Sequence, residues 1–222
     1  MTTQPPVSPG SVEDAVRAAR RDTRRRQVLD AAVSVMQRTG FHQMSMQALA
    51  EEASVSVGLL YTYFGGKEEI LLAAVQDILD SFRDQLEPAM DAVGDDPVER
   101  LAAGFARYVE IIDADRDAVV LTYRESRTLD RAGRERIKEL EVATAAPLRI
   151  ALEAGIERRL LREADADLVV YDLMLTAHGW ALKHWHFGSR YTVADYTRAQ
   201  TALFLGALVT PPHRRRYRHL LG

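Results

Sequence analysis

The stretch "SMQALAEEASVSVGLLYTYFGGKEEIL", residues 45–71, constrains this chain more than any other. Ser45 is a good N-cap for a short helix that turns Met46, Leu49 and Ala50 inward. Ser54 to Ser56 interrupts it, a second short helix runs from about Val57 to Phe64, and Gly65-Gly66 stops that one. Two short helices joined by three or four residues are the helix-turn-helix geometry. The second helix of such a pair fits the major groove of DNA, about 12 Å wide. Leu60 and Phe64, four apart, make its inner stripe, so Val57, Tyr61 and Thr62 turn outward. A tyrosine hydroxyl reaches a phosphate oxygen, Thr62 offers a hydroxyl and a methyl to base edges, and Gly58 allows close backbone approach. Lys67 stands at the start of the next helix, where free N–H groups favour an anion.

The rest of the chain is also helical in pattern, and no strand-like alternation is visible, so an all-α fold is expected. Residues 1–10, with three prolines and a glycine, read as disordered, and Ser11 with Asp14 suits a helix start. The main first helix carries Val28, Ala31, Ala32, Val35 and Met36 on one stripe and ends at Gly40. The helix from Lys67 is expected to reach about Glu87, before Pro88. Asp96 caps a helix with Pro97 in its first turn, running to about Ile112. Another spans Arg116 to Thr128, and a long one is interrupted near Pro147. A helix from Asp165 to Phe187 and a last one from a Thr192–Asp195 capping box to Val209 complete about nine.

Charge and composition narrow the function. Six arginines between Arg17 and Arg26 face one acid, Asp22, although the chain total is only −3. That total argues against a non-specific architectural DNA binder, which needs a strongly basic chain. The chain has no cysteine, which suits a reducing cytoplasm. The N-terminus lacks the apolar core of a signal peptide, and no uncharged apolar run approaches the roughly 20 residues that span a bilayer. His178, His184 and His186 lack metal-ligand spacing, and no nucleophile elbow, P-loop or Rossmann glycine pattern is present. No metal, cofactor or enzymatic activity is therefore expected.

The order "M-x-x-L-A-x-x-A-x-V-S-x-G-x-L-Y-x-Y-F-x-x-K-E-x-I-L", with its lead-in "VLDAAVSVMQRTGFHQMSM", resembles the DNA-binding domain of the TetR/AcrR family of bacterial one-component repressors from about Arg24 to Leu72. Ser54 departs from the pattern where the family often has glycine. The resemblance implies a basic, flexible N-terminal arm (1–21), a helix-turn-helix domain (22–68) and a ligand-binding and dimerisation domain (69–222). It places Ser45, Gln47, Val57, Gly58, Leu59, Tyr61, Thr62, Tyr63 and Lys67 at double-stranded DNA, with Arg24 and Arg25 at flanking phosphates or the minor groove. Tyr63 reads equally as a core aromatic, Leu59 also suits packing on its neighbours, and the arginine run also suits a solvated face. The "HRRRYRHLLG" terminus reads as a surface tail rather than a second DNA contact.

Beyond residue 72 the resemblance is one of plan. In the 165–187 helix Asp172 and Lys183 are the interior charges, eleven residues apart and so on one face. A helix apolar on its other sides is buried twice, once in its own domain and once by a partner. Trp185 there, with Ala199, Ala202 and Gly206 on the last helix, is the expected homodimer interface. A palindromic operator follows, because a two-fold pair reads two half-sites. For the effector, Phe105, Tyr108, Tyr123, Arg124, Arg127, Met174, His178 and Trp180 are candidate pocket residues. An apolar cavity with arginines at its mouth is similar to family members that sense fatty acyl-CoA thioesters; a multidrug, efflux-type regulator is the alternative. Trp180 and Trp185 read equally as dimer-core residues. The family plan implies that effector binding moves the 67–87 helix and releases the operator.

Overall fold

The computed structural model describes the backbone of residues 9–222 and the side chains of all but 9–12 and 15. The expected disorder of the terminus and the Ser11 cap therefore lie largely outside the described residues. Helices account for the fold, and the one extended pairing among the described residues is an isolated antiparallel bridge between Leu161 and Val209. The chain divides into two compact units, with the boundary after Ala74.

The first unit contains α1 (Pro9–Thr39), α2 (Met46–Glu52), α3 (Val57–Tyr63) and the start of α4 (Lys67–Asp91). α1 runs unbroken through residue 21, so the expected arm of residues 1–21 has no boundary in the described backbone. No glycine or proline stands between Ser11 and Thr39 to stop it, and the arginines and alanines there are good helix formers. Gly40, at φ 83, ends α1 and donates its N–H to the Met36 carbonyl at 2.7 Å. Val28, Ala32, Met36, Phe41, Leu49, Leu60, Phe64 and Ile70 form the core. Ser54 stands in the turn at φ 53, the left-handed region that costs a residue with a Cβ about 1–2 kcal/mol. The departure from glycine thus falls where glycine would be unstrained.

The second unit contains the rest of α4, then α5 (Pro97–Ala114), α6 (Arg116–Glu125), a 3-10 turn (Ser126–Thr128) and α7 (Arg131–Glu157). α8 (Ala166–Leu182), α9 (His184–Phe187), α10 (Val193–Leu208), a second 3-10 turn (Pro211–His213) and α11 (Arg218–Leu221) follow. Two prolines expected to end or break helices do neither. Pro88 lies in the last turn of α4, where it removes one backbone bond while Met90, beyond it, is buried. Gly94, at φ 84, closes the turn that follows. Pro147 lies inside α7 between buried Ala145 and Leu148, with Leu152 beyond. Burying two leucines stabilises by about 1.5–3 kcal/mol each, enough to offset the roughly 3 kcal/mol of an interior proline.

The expected 165–187 helix is two helices. It breaks at Lys183, at φ −118 and ψ 23, and α9 resumes around the ring of His184, which meets Trp180 edge-on at 4.9 Å. The caps at Asp96, Asp165 and Thr192 are as expected: each side chain accepts from a backbone N–H of its helix's first turn.

The C-terminal segment is not a surface tail. Tyr217 is fully buried and its hydroxyl donates to both oxygens of Asp96, at 2.9 and 3.1 Å. Arg216 pairs with the same carboxylate, and His219 Nε2 lies 3.1 Å from Glu99. A charged cap with unused lone pairs holds the chain end on the start of α5.

Candidate nucleic-acid interface and effector cavity

The α2–turn–α3 pair is held by local bonds. Ser45 Oγ accepts from Ala48 N–H and Ser56 Oγ from Leu59 N–H, each at 3.1 Å. Both hydroxyls keep a proton to donate outward. Leu60 and Phe64 are buried, so α3 turns its other side to solvent: Tyr61 is 56% exposed, and Gly58 and Thr62 are exposed. Gln47 is exposed at the start of α2, and Val57 and Leu59 are half-buried. Thr62 Oγ1 donates to the Gly58 carbonyl at 2.9 Å, so its methyl and lone pairs, not its proton, remain for a partner.

Basic groups from α1 meet the end of this helix. The Arg21 guanidinium lies 5.9 Å from the Tyr63 ring centre, and that of Arg25 lies 5.6 Å from Phe64. Tyr63 is half-buried and so holds an intermediate position between core and surface. Arg17, Arg20, Arg21 and Arg24 recur at helical spacing along α1, and Arg24 donates to Gln27 at 2.9 Å. Sequence reading missed Arg21, although its three- and four-residue spacing from Arg24 and Arg25 was the available signal.

Lys67 is tethered rather than loose. It donates to the His42 carbonyl at 3.2 Å and its Nζ lies 4.9 Å from the Phe41 ring centre. The N-terminus of α4 is less open to an anion than expected. Glu69 accepts from the Gly65 N–H at 2.9 Å, and Glu68 adds a second acid to the first turn. The two acids of this first turn oppose an anion there, so the positive charge at this corner is that of Lys67.

In the second unit a cavity of about 40 Å³ lies among α4, α5, α6, α7 and α8. Val75, Ile78, Phe82, Ile112, Val119 and Ile137 make its apolar walls, and Tyr123, His178 and Glu141 its polar ones. Of the expected pocket residues, Tyr123 and His178 line it and Tyr108 supports it from behind, bonded to His178 at 3.0 Å. The others are elsewhere. Phe105 packs edge-on to Phe204 at 5.2 Å, and Met174 is buried without lining the cavity. Trp180 donates its indole N–H to Asp113 at 2.7 Å. Arg124 is exposed and paired with Glu125, and Arg127 is exposed on the 3-10 turn. Sequence reading missed the α4 wall and Glu141, because a helix's cavity-facing residues share its ordinary core spacing.

Burial lowers the His178 pKa to about 4 and raises that of Glu141. The site is therefore lined by a neutral imidazole and a carboxyl that resists ionisation, with no lysine or arginine among its lining residues.

A third feature is an apolar surface. Leu168, Tyr171 and Leu175 recur at helical spacing on α8 and are exposed, as are Trp185 (77%) and Leu203 (70%). Ala199 and Gly206 flank Leu203 on α10, and a Cβ at Gly206 would meet open space. Leu168, Tyr171 and Leu175 thus leave one face of α8 apolar and exposed, a feature that marks interaction surfaces.

Comparison with known proteins follows both units. Residues 28–74 match the profile of the bacterial regulatory proteins of the tetR family, and residues 94–208 that of the tetracyclin repressor-like C-terminal domain. The chain is 32% identical over 189 residues to the HTH-type transcriptional regulator HbdR of Aromatoleum sp. (strain CIB), covering 85% of this chain and 82% of that one. Its fold is similar to that of AibR in complex with isovaleryl coenzyme A and operator DNA, with TM-score 0.69, 22% identity, and 81% and 97% of the two chains covered. It is likewise similar to FadR from Bacillus subtilis in complex with stearoyl-CoA, with TM-score 0.66, 24% identity, and 82% and 96% covered.

Proposed function

This chain belongs to the TetR family of bacterial transcriptional regulators, and we propose that it is a homodimeric repressor released from a palindromic operator by an acyl-thioester effector. One observation carries the reading: a single helix, α4, begins with Lys67 beside α3 and then supplies Val75, Ile78, Leu79 and Phe82 to the cavity wall. An occupant of the cavity pushes on a helix whose first residue belongs to the DNA-facing corner.

The recognition surface is α3 with the starts of α2 and α4. Tyr61 and Lys67 contact phosphates, while Thr62, Gln47 and the Ser45 hydroxyl read bases. Arg24 and Arg25, with Arg21, approach the flanking backbone. The α8 and α10 surfaces, around Leu175, Trp185, Leu203, Ala199, Ala202 and Gly206, pair across a two-fold axis. Dimerisation sets two α3 helices on successive major grooves, about 34 Å apart. The effector's acyl end enters the apolar cavity, and its anionic remainder stays outside in solvent. Coenzyme A esters bound to AibR and FadR support this class of effector. Effector and operator then oppose each other reciprocally.

The test is selection of random duplexes by the purified protein, followed by footprinting. A short inverted repeat, bound more weakly as salt rises and released by an acyl-CoA, is expected. The Tyr61→Phe, Lys67→Ala double variant weakens binding to every selected sequence. Continuous coverage without a repeat, or a repeat bound equally well by that variant, would overturn the assignment.

A further inference from the structure

Tyr108, His178 and Tyr123 form a hydrogen-bonded chain whose direction follows from burial. Tyr108 is 1% exposed and stacks on Phe82 with ring centres 4.1 Å apart. Its hydroxyl has one partner among the described residues, His178 Nε2 at 3.0 Å. A buried O–H without an acceptor is a net loss, so Tyr108 donates and Nε2 accepts. Neutral imidazole carries a single N–H, which is then on Nδ1. Nδ1 lies 2.8 Å from the Tyr123 hydroxyl and donates to it. The oxygen of Tyr123 is thereby engaged, and its own proton is left to point at a third atom. No described residue accepts it.

Tyr123 lines the cavity, and the only other charged or ionisable liner beside it and His178 is Glu141. A carboxylate or phosphate in the cavity would face Glu141 with no cation to offset it. The volume of about 40 Å³ holds about three water-sized groups.

We propose that the Tyr123 hydroxyl is the group that reads the effector, donating to the carbonyl oxygen of a short, uncharged acyl group seated in the cavity, with His178 and Tyr108 as positioning residues. This rests on the reading of the cavity as the effector site. It differs from it in naming one donor, one acceptor and a size limit. An acceptor on the ligand completes the chain Tyr108 → His178 → Tyr123 → carbonyl, in which every buried proton is used.

The experiment is calorimetry on the full chain with propionyl-CoA and with S-propyl-CoA, the thioether in which a methylene replaces the carbonyl. The parent is expected to prefer the thioester roughly three- to tenfold, the worth of one hydrogen bond. Tyr123→Phe, which keeps the half-exposed ring and is checked for folding by circular dichroism, binds both alike. A preference that survives in Tyr123→Phe, or no preference in the parent, overturns the proposal. If neither coenzyme A compound binds the parent, the acyl-thioester reading fails, and 2-butanone decides on Tyr123. The ketone should shift the ¹⁵N signals of the His178 ring in the parent but not in Tyr123→Phe; no shift in the parent overturns the proposal. The positioning role has its own signature. ¹⁵N-histidine spectra, assigned by the His178→Gln variant, should show His178 protonated on Nδ1, and Tyr108→Phe should relax that preference. A His178 ring protonated on Nε2 in the parent rejects the chain outright.

Discussion

Tyr217→Phe removes one hydroxyl from a fully buried ring and leaves its packing intact. That hydroxyl donates to a carboxylate, Asp96, which also accepts from the N–H groups of Val98 at 2.9 Å and Glu99 at 3.3 Å. A hydrogen bond to a charged group is worth about 1.5–3 kcal/mol. The neighbouring Arg216 is largely exposed, so its pairing with Asp96 adds about 1 kcal/mol at most. Tyr217→Phe is therefore expected to cost about 1.5–3 kcal/mol and Arg216→Ala under 1 kcal/mol. Asp96→Ala should cost more than either, because it also removes the α5 cap, worth about 1 kcal/mol. The assay is urea unfolding followed by tryptophan fluorescence. The chain's two tryptophans, Trp180 and Trp185, both lie in the second unit, so the signal reports that unit alone. The midpoint should fall with the slope unchanged. A Tyr217→Phe loss under 0.5 kcal/mol, or an Asp96→Ala loss no larger than a cap, would show that the C-terminal segment is not held by this carboxylate. Burial and Asp96 push the Tyr217 pKa up to about 12. Its contribution is thus complete below pH 10 and fades between pH 10 and 12, a loss absent from Tyr217→Phe.

Two further outcomes follow from the same physics. Ser54→Gly removes the left-handed strain but adds unfolded-state freedom, so the first unit should gain about 0.5 kcal/mol, read by circular dichroism on denaturation; a loss would mean that the serine side chain contributes a bond. His178 is held neutral, with its pKa lowered to about 4 from 6.5, so its contribution is present above pH 6.5 and is lost as pH falls towards 4. Glu141, with a raised pKa, acts in the opposite sense over the top of the carboxylate range. Tryptophan-monitored stability should therefore fall on acidification through this window, less steeply in His178→Gln and more steeply in Glu141→Gln; identical slopes in all three would refute the burial argument.

What the sequence determined by itself are features made within one or two helical turns. Gly40 stops a helix, Ser45, Asp96 and Thr192 cap others, and the four-residue spacing of Leu60 and Phe64 turns Tyr61 outward. Each rests on a bond or contact between near neighbours, so the order of residues alone carries it. The caps and turn of the helix-turn-helix lie in this class, whereas Lys67 is tied to His42 across 25 residues. Pro88 and Pro147 mark the limit, because local rules end or break a helix there while burial of residues beyond them carries it through. The cavity of the second unit depends on contacts with no local signature. Tyr108 and Tyr123 meet His178 across 70 and 55 residues, and Tyr217 meets Asp96 across 121. No periodicity encodes such distances. Phe105, Trp180 and the two arginines looked as fit for a pocket as Tyr108 and His178. Only the packing of five helices decided which of them share a wall, and that the wall holds a carboxyl, an imidazole and a tyrosine rather than a cation.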